Sequence, residues 1–115
     1  DYIRLLIINH DFKEAQKLID FAKTVKGIDK AGIALTQGQL YESMTLFGDA
    51  EKALKDAKQL ALNNDFISYV DDILSRVKKK KKIQANENRI IENQAKKEIE
   101  AEPKKWFQNR LNNLL

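Results

Sequence analysis

His10-Asp11-Phe12-Lys13-Glu14-Ala15 is answered 38 residues later by Gly48-Asp49-Ala50-Glu51-Lys52-Ala53. Each stretch stands between two apolar-periodic segments. Asp11 matches Asp49, Ala15 matches Ala53, and the charged pair between them is Lys-Glu in one copy and Glu-Lys in the other. A recurrence of this length, built of two helices, marks a helical solenoid, in which each hairpin buries its apolar face on its neighbour. Asp11 and Asp49 read as helix N-caps, because a carboxylate there accepts from the free amides of the first turn.

Before the first copy, residues 2–9 read as a short apolar helix. In the next helix Phe12, Ala15, Leu18, Ile19 and Ala22 fall on one face. Gly27 reads as its stop and Asp29 as the following cap. A third helix is expected from about Lys30 to Phe47, burying Ile33, Leu40, Tyr41, Met44 and Phe47. Gly32 and Gly38 weaken it by roughly 1 kcal/mol each relative to Ala, which points to close helix–helix approach. Gly48-Asp49 then reads as the turn, and a fourth helix runs to about Leu62 with Ala50, Ala53, Leu54, Ala57, Leu60 and Ala61 inward. Asp65 is the expected cap of a fifth helix, whose stripe is Phe66, Tyr69, Val70, Ile73, Leu74 and Val77.

That stripe stops at Lys78-Lys79-Lys80-Lys81-Lys82, while helix formers continue to about Ala101. Pro103 ends the helix, since the residue before a proline avoids helical geometry. A last amphipathic helix from 103 to 115 carries Phe107, Leu111, Leu114 and Leu115 on one face beside Trp106. The expected organisation is helical repeats over 1–77, a basic helical extension over 78–102 and an amphipathic helix over 103–115. The opening Asp1-Tyr2-Ile3-Arg4-Leu5-Leu6-Ile7-Ile8 reads as the second half of a helix, as in a fragment of a longer protein.

Composition narrows the function. The 115 residues are 43% hydrophobic, enough for one modest core. There is no Cys, so neither a disulfide framework nor a thiolate metal site is available. That fits a reducing compartment, and a cytoplasmic location is expected. His10 is the single His, so no His-pair metal motif or His-based triad can form within the chain. Asp71 and Asp72 are adjacent and do not share a helix face, which argues against paired acid–base chemistry. No apolar run approaches the roughly 20 residues of a membrane span. No catalytic residue, metal site or cofactor is expected.

The net charge of +4 is mild. Lys78, Lys79, Lys80, Lys81 and Lys82 could neutralise phosphates and give sequence-blind, salt-dependent binding, although on a helix they spread around the circumference. Trp106-Phe107-Gln108-Asn109-Arg110 matches the core of a homeodomain recognition helix. Pro103 would fall inside such a helix and cost about 3 kcal/mol, so an anchoring role for this segment is the better reading.

Leu40, Tyr41, Met44, Gly48, Ala53, Leu54 and Leu60, with Tyr2, Ile3, Leu6, Phe12, Ala15 and Ala22 in the first copy, resemble the tetratricopeptide (TPR) repeat over about residues 1–77. Gln37 stands where that family has an early Trp, and 38 exceeds its usual spacing of 34. The resemblance implies an all-α, TPR-like helical-hairpin solenoid followed by a long C-terminal helix and a terminal amphipathic helix. It implies a co-chaperone-like groove near Arg4, Gly38, Gln39, Glu42 and Thr45. Only Arg4 there is basic, so clamping of an acidic C-terminal tail is not expected. The reading is a non-catalytic scaffold that binds a protein or peptide through Arg4, Gln39, Glu42, Thr45, Trp106, Phe107 and Leu111, without a membrane. The C-terminal helix would dock on its own chain or on another subunit. The alternative is a nucleic-acid- or ribosome-associated module using Lys78 to Lys82.

Overall fold

The computed structural model describes residues 1–101, with side-chain environments through residue 97. The described chain is all-α: α1 (Tyr2–Ile8), α2 (Phe12–Lys23), α3 (Lys30–Ser43), α4 (Phe47–Leu60) and α5 (Asn64–Ala101). It divides into two units, Asp1–Lys81 and the residues from Lys82 onward. The expected terminal helix, with Trp106, Phe107 and Leu111, lies outside the described residues.

Two reversals with the same hydrogen bonds organise the first unit. At the end of α1 the His10 amide donates to the Ile7 carbonyl (3.1 Å) and the Asp11 amide to Leu6 (2.8 Å). At the end of α3 the Thr45 amide donates to Glu42 (3.0 Å) and the Leu46 amide to Tyr41 (2.9 Å). These are Schellman closures, which place one residue in the left-handed region. That residue is His10 (φ 64°) in one and Thr45 (φ 61°) in the other. After each reversal a helix begins with Phe, at Phe12 and Phe47, and a fully buried Ala follows at Ala15 and Ala50.

The structural recurrence is therefore 35 positions, not the 38 that align the two Asp residues. Gly48 and Asp49 sit in the first turn of α4 rather than in the turn before it. Asp49 still suits that place, because a carboxylate favours the positive end of the helix dipole. Asp11 flanks α2 without a side-chain cap bond. Asp29 does cap α3, accepting from the Gly32 amide at 3.1 Å. The cap of α5 is Asn63 rather than Asp65, with its Oδ1 accepting from the Phe66 amide at 2.8 Å. Gly27 (φ 77°) lies in the connection after α2, which has already ended at Lys23.

A β-branched residue pays a steric cost at positive φ that Gly does not. Thr45→Gly is thus expected to raise stability by about 1 kcal/mol. An increase in the urea midpoint at unchanged slope would show it; a decrease would mean that the Thr45 Oγ1 contact to the Met44 carbonyl (2.6 Å) matters more.

Apolar side chains collect in two clusters with α3 between them. Leu6, Ile7, Ala15, Ile19 and Leu40 form one, joined by Ile33. Ala50, Leu54, Ala57, Val70, Ile73, Leu74 and Val77 form the other, joined by Ala34, Leu35 and Tyr41. Because α3 serves both sides, its buried residues wrap around it: Ala31, Gln37, Gly38 and Leu40. Met44 and Phe47 are not part of an α3 stripe. Met44 is exposed beyond the end of α3, and Phe47 opens α4. In α4 Leu60 is exposed, and Leu62 lies past its end at 99% exposure.

Candidate functional site

Small residues shape a groove where α2, α3 and α4 meet. Its volume is about 470 Å³, and its walls include Ile33 and Ala34 of α3, Ala53 and Leu60 of α4, and Ile28 of the preceding loop. Lys23, Lys30, Asp56 and Gln59 supply polar edges, and Gln37 lines the interior. Gln37 is only 7% exposed, the one buried polar residue among those described.

Gln37 is held by Gln16 of α2. Each amide nitrogen donates to the other's oxygen at 2.8 Å. Gln16 also donates to Asp20 at 3.0 Å, and Lys23 Nζ donates to Gln37 Oε1 at 3.5 Å. A buried amide costs free energy unless its hydrogen bonds are made. The reciprocal pair meets that requirement and fixes α2 against α3 at one register. The groove therefore offers apolar contact with a few oriented donors and acceptors, the usual composition of a recognition site. Among the described residues no His, Asp or Glu cluster converges in a way that could hold a metal ion.

The residues expected to bind partners lie elsewhere. Arg4 is exposed on α1, and Gln39 is half-buried on α3. Thr45 is the left-handed turn residue. Gly38 is closed off, because a Cβ built on it would meet Leu54 at 2.8 Å. Glu42 is occupied: its carboxylate accepts from Arg76 Nε and Nη2 at 2.8 and 2.7 Å, and from Lys80 Nζ at 3.3 Å. Composition and periodicity did not point to Gln16 or Gln37. The available signal was a Gln at a position where the helical pattern calls for an apolar residue.

The lysine run is divided. Lys80 pairs with Glu42, and Lys81 pairs with Glu51 at 3.2 Å. Lys58 of α4 also reaches Asp71 of α5 at 2.6 Å. Lys78, Lys79 and Lys82 are exposed and form no ion pair among the described residues. Two of the five lysines thus pair α5 with carboxylates of α3 and α4.

Partial burial pushes the Glu42 carboxyl upward, but the hydrogen bonds and charges of Arg76 and then Lys80 outweigh it and hold the group below the usual Glu range. Glu51 is lowered as well, mainly by hydrogen bonds from Lys55 and Lys81. A carboxyl depressed in the folded state stabilises above its unfolded pKa of about 4.3 and loses that contribution as pH falls through the folded value. Glu42→Gln is accordingly expected to cost about 1 kcal/mol at pH 7, since Arg76 is half exposed. Urea unfolding at pH 7 and near pH 2.5 tests this. The difference between the two proteins should shrink toward zero in acid, and a difference that persists there would exclude the ion pairs as its cause.

No protein-family model matches this chain, and no curated protein or solved structure is significantly similar to it.

Proposed function

We propose that residues 1–77 are a TPR-like hairpin array acting as a non-catalytic scaffold, with the groove between α2, α3 and α4 as the seat for a peptide or helix of a protein partner. The observation that carries this reading is the groove itself, with apolar walls above a fixed amide pair. The recurrence of the reversal at 35 positions, near the 34 of that family, supports the TPR likeness. So does the placement of small and large residues. In the 35-position register Gly38 and Tyr41 have the family's G-x-x-Y spacing, and Ala50 and Leu54 have its A-x-x-x-F spacing with Leu for Phe; the early Trp position then falls on Ala34, not Gln37, and Gln37 takes the place of the family's Leu. Gly38 and Ala50 sit where α3 and α4 approach closely.

An occupant would bury one or two apolar side chains between Ile33 and Leu60 and align its backbone polar groups with Lys23, Gln59 and Asp56. A displayed library of random peptides, panned on the full chain, tests the reading. Enriched peptides should lose binding to Gln59→Trp, which fills the exposed rim of the groove without touching the core. Peptides that bind this variant as well as the parent, or no enrichment over an unrelated helical protein, would overturn it.

A further inference from the structure

Lys80 and Lys81 are paired with Glu42 and Glu51, so the lysine run does not present five unpaired cations. A more coherent surface lies further along α5, wholly within the unit that begins at Lys82. Lys82, Asn86, Arg89, Asn93 and Lys96 follow at i, i+4, i+7, i+11 and i+14. At 3.6 residues per turn those spacings form one continuous stripe along a helix. All five residues are exposed, and α5 is unbroken through them. The stripe contains no apolar residue and no carboxylate. Glu87 lies across the helix from it, and Glu92 borders it beside Lys96. From Lys82 to Lys96 the stripe is about 21 Å long.

We infer that this stripe binds the phosphodiester backbone of a nucleic acid. Its three cations recur every seven residues, about 10.5 Å along the helix. The two Asn side chains between them carry amide donors, which with Lys and Arg make up the common partners of phosphate and sugar oxygens. An acidic protein surface is a poorer match. Protein interfaces deplete Lys at their centres, and a stripe with no apolar residue would gain no hydrophobic burial there. The contact reads charge and not sequence, so it adds to the groove of the first unit a second, independent attachment.

The test is fluorescence anisotropy of the full chain with a labelled 20-nucleotide RNA duplex, the corresponding DNA duplex and each single strand, from low to physiological salt. Binding to any of these should weaken with salt along a log–log slope of about −3 for a duplex or about −2 for a single strand, as expected for three phosphate contacts. Whether the RNA or the DNA form binds tighter assigns the source. Lys82→Gln, Arg89→Gln and Lys96→Gln combined should lower affinity roughly tenfold or more and flatten the slope. Gln is a good helix former, and circular dichroism should report unchanged helicity. A control with the same charge change elsewhere, Lys13→Gln, Lys17→Gln and Lys52→Gln, should leave the slope nearly unchanged. The inference is overturned by equal losses in both variants, by no binding to any nucleic acid, or by binding to polyglutamate in preference to all of them.

Discussion

Replacing Leu54 with Ala is expected to remove about 2–5 kcal/mol of stability, toward the upper end of that range. Leu54 is fully buried at the centre of the cluster built by α4 and α5. The cost of such a truncation depends on how far the surroundings can collapse into the space left behind. On the α3 and α4 side they have little to offer. Ala50, Ala57 and Gly38 carry one methyl or none, and the α3 backbone is already in contact. The cavity should therefore persist. Small domains have total stabilities of about 5–15 kcal/mol, so the variant would lose a large fraction of its margin. Urea unfolding should show a much lower midpoint with an unchanged slope. A loss under about 1 kcal/mol would mean that Leu54 does not pack as described.

Gly38→Val is the complementary experiment. A Cβ at residue 38 would lie 2.8 Å from both Cγ and Cδ2 of Leu54 and 3.5 Å from the Ala50 carbonyl oxygen. Valine adds two further carbons on a stiff χ1, so it cannot turn away from all of these atoms. Forcing extra carbons into a packed contact costs about 1–3 kcal/mol. Replacing Gly in a helix ordinarily gains stability, which makes a loss here diagnostic of close approach. The two substitutions should also couple. In the Leu54→Ala background the atoms that oppose the introduced valine are gone, so the combined loss should fall short of the sum by about 1 kcal/mol or more. Strict additivity would show that the α3–α4 contact is looser than the structure has it.

Much of the secondary structure was legible in the sequence. The stripe Val70, Ile73, Leu74, Val77 is buried as its spacing predicts, and Asp29 caps α3 as its place before an apolar segment predicts. The errors have local causes. Gly48-Asp49 looks like a turn, yet Gly and Asp are both tolerated in the first turn of a helix. The chain reverses at Thr45, a residue type that carries no turn signal. The pattern of α3 blurred because the helix has core on two sides. Neither the Gln16–Gln37 pair nor the engagement of Lys80 and Lys81 was legible, because the partners lie 21 to 38 residues apart.

That this chain is helical, where its apolar stripes run and which residue types it lacks can all be read from the order of its residues. Those properties follow from interactions within three or four residues, which composition and spacing report directly. The register came from packing between the helices. Leu54 seats on Gly38, and the chain reverses at Thr45, 35 positions after the reversal at His10. The same packing also decided which polar groups remain open, by pairing Gln37 with Gln16 and Glu42 with Arg76 and Lys80. Those choices depend on which helices meet and at what height. Steric fit and charge pairing across the fold set that height, and no local pattern encodes it.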